Sequence, residues 1–333
     1  MKNIIRRGDH EKKEVYLGSY YCTGLGFSIN GRKSGSRKKI PYQPIQVIIP
    51  FAPGDTDNLL RPFIEKMPEY LGQPLTFVYK PGAAGTLGAG LVASAKPDGY
   101  TLLGISQSAL TIVPHIQKDV AYTLESFAPI SSLVESPILL VGKSDAPWKS
   151  LKELVAEAKN NPDKINFTTA GTFNIGHIAF EAFAKKAGIK LNFIPAQGSG
   201  PSITAVLGGH VHLASAAIVP ALPHIKAGTL RAFAVYTAKR VRNLPDVPTF
   251  AEMGYSVIIP VYYGFLAPKD TPKEVIEPLH LSIKKVVEHH QTFVNERLEK
   301  LGANAIYIEL REYADLLKSQ YEYYGELIKG IKQ

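Results

Sequence analysis

From Pro41 onward the chain alternates short apolar runs with amphipathic stretches, and no other feature narrows its fold so far. A short apolar run between turn residues suits a buried strand, and apolar residues three and four apart suit one face of a helix. The pattern predicts strands over 45–50, 75–79, 100–105, 138–141, 164–168, 190–194, 211–215, 232–236 and 264–267. It predicts helices over 57–70, 88–95, 151–160, 176–187 and 201–207, then 273–300 in two pieces and 310–329. The helix at 151 carries its own start signal, with Ser150 as cap and Glu153 three residues later. Strands and helices in alternation imply an α/β architecture with largely parallel sheets. A length of 333 residues suits two cores better than one. No run approaches the roughly 18–20 apolar residues of a membrane helix.

The turns that follow the strands carry the functional signal. They read Phe51-Ala52-Pro53-Gly54-Asp55-Thr56-Asp57, Lys80-Pro81-Gly82-Ala83-Ala84-Gly85, Ser106-Gln107-Ser108, Thr169-Ala170-Gly171-Thr172-Phe173-Asn174 and Pro195-Ala196-Gln197-Gly198-Ser199-Gly200. In α/β sheets ligands bind beyond the carboxyl ends of strands. Free N–H groups at helix starts favour anions there, and small residues let a ligand reach the backbone. Any one of these turns is equally explained by ordinary turn and cap chemistry. Five together point to capture of a small anion by neutral donors.

Other chemistries lack an anchor. Gly82-x-x-Gly85-x-x-Gly88 has neither the spacing of a dinucleotide loop nor the Gly-Lys-Ser/Thr ending of a P-loop. Gly104-Ile105-Ser106-Gln107-Ser108 lacks the last glycine of a nucleophile elbow. The nine histidines include His210, His212 and the pair His289-His290, but no metal-binding spacing. A single cysteine, Cys22, excludes a disulfide framework and a Cys-rich zinc module. No metal and no cofactor are therefore expected.

Charge matters because of where it sits. The net charge is +9, which by itself would suggest a polyanionic partner. Residues 1–40 hold ten basic and three acidic side chains, and the rest of the chain is nearly neutral at +2. The Tyr321, Tyr323, Tyr324 run is not interleaved with basic residues, so nucleic-acid binding by the body is not expected. The head, 1–40, reads as a flexible basic segment. It is either a tail or a wrongly chosen start, or else a degenerate export or lipoprotein signal. Its one apolar stretch, 15–29, is broken by glycines and has no clear cleavage site.

The turns, in this order, resemble a known family. IIPFAPGDTDN, YKPGAAGTLGA and AKPDGYTLL are similar to the Bug-type (TctC-like) extracytoplasmic solute receptors of tripartite tricarboxylate transporters. The likeness continues through FAPISSL, SLKELVAEAKNNPDKINFTTAG, GHIAFEAF, VLGGHVHLASAAIVPALPHIKAGTLRAFAV and LPDVPTFAEMG, covering about 42–329. The combination is specific, although no single motif is.

The resemblance implies a two-lobe periplasmic-binding-protein fold of the type II, Venus-flytrap kind, with two crossover strands. Lobe 1 would comprise 41–135 plus 266–333, and lobe 2 136–265. It implies a small organic carboxylate as ligand and the membrane subunits of a tripartite transporter as partners. It further implies an extracytoplasmic location and no catalysis, and the chain is expected to act as a monomer. Phe51, Gly54, Asp55, Thr56 and Asp57 match the family's first ligand loop. Ser106 and Ser108 match the loop after the third strand. Thr169, Gly171, Thr172 and Asn174 match the second lobe's capping loop, which His177 follows. Ala196, Gln197 and Gly198 stand where Tyr-Lys-Gly is usual.

There are departures. The first loop has Asp55 where the family usually has a second glycine and one more residue. Ser215-Ala216 replace an aromatic followed by Asp, which by analogy suggests a ligand without an amino group to pair. A cytoplasmic effector-sensing module and a cleft enzyme remain alternatives. The first would need a helix-turn-helix, and the second a nucleophile, a metal or an acid–base pair.

Overall fold

The computed structural model describes residues 41–332. The expectations for 1–40 lie outside those residues. Among the described residues, eleven strands form two sheets. In chain order they are β1 (Ile45–Ile49), β2 (Leu75–Tyr79), β3 (Thr101–Ser106), β4 (Phe127–Glu135), β5 (Ile138–Lys143) and β6 (Asn166–Thr168). Then come β7 (Asn192–Phe193), β8 (Leu213–Ala217), β9 (Leu230–Val235), β10 (Tyr262–Pro268) and β11 (Asn304–Ile308). The six-stranded sheet has the order β11-β4-β10-β3-β1-β2, and the five-stranded sheet β7-β6-β8-β5-β9.

The continuous apolar run IQVII explains the central place of β1. Val47 and Ile49 pack into one core and Ile48 into a second core on the opposite face of the sheet. Both faces are covered, so no polar alternation is needed. Helices cover the sheets where the periodicity places them. The helix Leu151–Asn160 opens with Ser150 Oγ accepting from the Glu153 N–H at 3.2 Å. Glu153 closes the return bond one residue early, on the Lys149 N–H at 2.7 Å. The expected helix 57–70 breaks at Met67, and Pro68 starts a new turn at a position where its missing N–H is harmless.

The expectation of largely parallel sheets is overturned. Four strand pairings are parallel and five are antiparallel. The reason is the path of the chain. It leaves the first sheet only between β4 and β5 and returns only between β9 and β10. The returning β10 inserts antiparallel between β3 and β4. The two crossings run side by side, with the Ser136 N–H donating to the Val261 carbonyl at 3.0 Å. β10 enters the first sheet at Tyr262, four residues before the expected boundary at 266.

Candidate site in the cleft between the sheets

Four helices of eight or more residues start at one place between the two sheets. They are Thr56–Lys66, Ile175–Ala187, Ser199–Leu207 and Ile218–Lys226. The first follows β1 in the six-stranded sheet, and the others belong to the second sheet. Around their first turns lies a cavity of about 30 Å³. It is lined by Phe51, Ala52, Asp55, Thr56, Ser106, Ser108 and Tyr263 on one side. The opposite wall is formed by Ile138, Ala170, Asn174, Ile175, Gly176, Ser199 and Ser215–Ala217. That volume holds one or two water-sized groups. A second cavity of about 250 Å³ adjoins it, sharing Phe51 and Ala170 and extending past Pro81–Gly85, Gln117, Gly171, Thr172 and Pro195–Gln197.

The donors are neutral. Asn174 caps its helix by accepting from the His177 N–H at 2.9 Å, and its own carbonyl accepts from Ile178. That leaves the Ile175 and Gly176 N–H groups at the cavity wall without a partner among the described residues. Ser106 and Ser108 lie with their hydroxyls 3.4 Å apart, so one of the two keeps a free hydrogen. Ser215 is different: its hydroxyl donates to the Gly176 carbonyl at 2.8 Å, leaving it only acceptor capacity. No Lys, Arg or His lines either cavity among the described residues. Helix starts and hydroxyls, rather than cations, therefore favour an anion there.

Among the described residues, Asp55 is the one carboxyl that lines the inner cavity. Its residue surface is partly exposed, yet Oδ1 is shut off from solvent and has no hydrogen-bond partner. Oδ2 accepts from the Tyr263 hydroxyl at 3.2 Å. Burial pushes the Asp55 carboxyl up to about 7, the Tyr263 bond opposes that, and the Asp57 charge adds to it. Burial and the Asp55 charge hold the Tyr263 phenol well above its ordinary value, so it stays a donor.

The structure brings most of the sequence candidates together. Phe51, Asp55, Thr56, Ser106, Ser108, Asn174 and Ser215 line the inner cavity, and Gly171, Thr172, Ala196 and Gln197 the outer one. Four candidates line neither. Asp57 is a brace, accepting from the Gly54 N–H at 2.7 Å, the Tyr79 hydroxyl at 3.0 Å and Arg61 at 3.3 Å. Gly54 is the other end of that brace. Thr169 is turned inward, its hydroxyl donating to the Gly171 carbonyl at 2.8 Å. Gly198 faces Ala52 across the cleft, where an added Cβ would lie 3.5 Å from that of Ala52. Tyr263, Ile138 and Ser199 line the inner cavity in addition to the residues expected from sequence. Ser199 stands in a turn already read as ligand-facing. Tyr263 and Ile138 sit in strands and carry no loop signal.

Backbone strain collects around the cleft. Ala83, Ala84 and Phe173 have φ of 47°, 54° and 62°, a region that side-chain-bearing residues rarely occupy. Among the described residues, no group of three His, Cys, Asp or Glu is placed to hold a metal ion, and no helix is long and apolar enough to cross a membrane.

Two mixed sheets, joined by two adjacent crossings over a cleft ringed by helix starts, define a two-lobe solute-binding protein. The model for the tripartite tricarboxylate transporter family receptor, TctC, matches residues 59–332, and the chain belongs to that family. It is 34% identical to Protein BugT of Bordetella pertussis over 255 residues, 74% of this chain and 77% of the relative. Among solved structures it is similar to the periplasmic binding protein BugD, with TM-score 0.83 and 32% identity over 88% of this chain and 98% of the other. It is also similar to MatC from Rhodopseudomonas palustris with bound malate, with TM-score 0.82 and 28% identity over 86% and 99%. The expected resemblance and the two-lobe fold class are thus shown.

Proposed function

We propose that the chain is an extracytoplasmic receptor that captures a small organic carboxylate between its lobes and delivers it to the membrane subunits of a tripartite transporter. The observation that carries this reading is the meeting of four helix starts from both sheets around a cavity lined by hydroxyls and free of cations. Such a site favours an anion without the desolvation cost of a buried ion pair. The binding of malate in MatC supports the same ligand class.

In this reading lobe 1 is 41–135 plus the segment from about 262 to 332, and lobe 2 lies between, hinged at Ser136 and Val261. The inner cavity takes one carboxylate head and the outer one the remainder of the ligand. Closure occurs because the ligand touches both lobes only when the cleft is shut. The receptor acts as a monomer, binds no nucleic acid and turns nothing over. A thermal-shift screen with mono-, di- and tricarboxylates and aromatic acids tests it. A ligand that binds only the native state raises the midpoint. No shift with any carboxylate, or chemical conversion of one, would remove the proposal.

A further inference from the structure

The inner cavity poses a problem for an anion receptor, because the only charge its lining residues can carry is negative. Asp55 occupies the cap position of the helix Thr56–Lys66, yet its side chain makes no cap bond. Tyr263 takes that carboxyl instead, on Oδ2, while Oδ1 is shut off from solvent without a partner among the described residues, on a residue that lines the cavity. An ionised carboxylate there would repel a ligand carboxylate in a space with no cation to offset it. A bare buried acceptor would also be costly in its own right.

Building on the carboxylate-receptor reading, we propose that Asp55 is the residue that selects the ligand head group, binding it as a neutral acid whose proton sits on Oδ1. Because Tyr263 donates to Oδ2, the proton has one place to go. Oδ1–H then becomes a donor with no acceptor among the described residues, and a ligand carboxylate oxygen is the acceptor that fits it. The proton comes from solvent, so each carboxylate bound above neutral pH carries one proton in with it. The O–H bond formed on Oδ1 replaces one broken in the solvent or buffer acid, and no other covalent bond changes.

The groups around Asp55 leave this arrangement intact. On its own loop and helix stand Asp57 and Arg61, which are paired with each other at 3.3 Å. Tyr263 comes from β10. Across the cleft, on the helix Ile175–Ala187, His177 accepts from the Phe173 N–H through Nδ1 and lies 3.6 Å from Glu181 through Nε2. Neither of those two lines the cavity. The carboxyl, already raised to about 7 by burial, is half protonated near neutrality and rises further when an anion arrives.

The test is calorimetric titration of the full chain with malate, succinate and glutarate, and with aspartate as an ammonium-bearing counterpart. For an acid that binds, heats measured at pH 8 in two buffers of different ionisation heat should show uptake of about one proton. Its Kd should weaken roughly 30-fold between pH 6 and pH 8.5. Asp55→Asn should abolish both effects while still binding the acid, since an amide N–H replaces the acid proton. Should that variant fail to fold, Tyr263→Phe serves instead. It removes the bond that favours the ionised form, so the loss of affinity should begin at higher pH. Tight binding with no proton uptake and a flat pH profile would overturn the proposal, as would a clear preference for aspartate. Binding of none of these acids at pH 6, with no carboxylate active in the thermal-shift screen, would overturn the receptor reading and this inference with it.

Discussion

Gln107 clamps Pro260: its side-chain Nε2 donates to the Pro260 carbonyl at 2.9 Å, while its Oε1 accepts from the Tyr262 N–H at 2.9 Å. Gln107 stands between the two cavity serines, and Pro260–Tyr262 is the segment that leads back between the sheets into β10. One buried amide therefore ties the ligand loop to the hinge. Gln107→Ala leaves two backbone groups unpaired, which costs about 2 kcal/mol. The melting midpoint should drop by roughly 3 °C. Affinity should fall as well, because the serine loop loses its anchor, and small-angle scattering of the liganded protein should show a less completely closed particle. A variant with normal affinity and normal closure would show that the clamp is only structural padding.

Ser106 and Thr172 test the two cavities separately. Ser106 lines the inner one from β3, and Thr172 the outer one from the capping loop. Neither hydroxyl holds together a distant part of the chain, so alanine at either should leave the melting midpoint within about 2 °C. Each loss should weaken carboxylate binding about 10- to 100-fold, the usual worth of one hydrogen bond to a charged group. Full affinity in both variants would remove these loops from the site.

The ligand loops were legible because their signal is local. A turn of Gly, Ser, Thr and Asn at a strand end looks the same in sequence as in space. What could not be read came from elements that act at a distance. β10 brings Tyr263 opposite Ser106 and within reach of Asp55, a pairing across 208 positions. β4 carries no clear strand pattern in sequence, since Pro129 and the Ser131-Ser132 pair interrupt its apolar run, and its ladder is irregular. The helix Ile218–Lys226 was hidden by Pro220 and Pro223. Pro220 falls in the first turn, where no N–H is needed, so only Pro223 interrupts the helix. β11 was missed because an exposed edge strand carries little hydrophobic signal. Asp55 and Asp57 also looked alike in sequence, and only the three-dimensional partners separate them.

That separation has opposite consequences for stability. Asp57 is almost fully buried and satisfies three donors. Asp57→Ala strands the Gly54 N–H and the Tyr79 hydroxyl and should cost about 3 kcal/mol. Asp55 is strained the other way. Its carboxyl is raised from 3.8 in its ordinary state to about 7, so the folded chain holds this proton more tightly than the unfolded one. Such a group contributes fully below the unfolded value, and its contribution is lost as pH rises through the folded value. The ligand-free protein should therefore lose stability between about pH 4 and pH 7 relative to Asp55→Asn, and the difference should level off above that range. Melting midpoints of both proteins across pH 4–8.5 decide the matter. Parallel curves would mean that Asp55 is solvated.

Closure itself can be probed at Gly171. This residue has φ of 154° and lies directly across the cleft from Ala84, whose Cα would sit 3.5 Å from an added Cβ. Gly198 makes the matching approach to Ala52 with φ of 132°. Both positions need a backbone conformation that side chains disfavour, and both lie where the lobes meet. Alanine at Gly171 would make only ordinary contact with Ala84, but the branches of Gly171→Val extend beyond that contact. Gly171→Val should cost at least about 1 kcal/mol of stability from backbone strain alone. The larger effect belongs to binding. The added branches meet the opposite lobe only when the cleft is shut, so they disfavour the closed state that the ligand requires. Kd should rise by about 10-fold or more, with the loss appearing in a faster dissociation rate, because the open form still admits the ligand. Gly188→Val is the control, since Gly188 shares a positive φ of 64° and faces open space away from either cavity. It should show the stability cost without the loss of affinity. Equal losses of affinity in the two variants would mean that strain, not lobe contact, sets the effect.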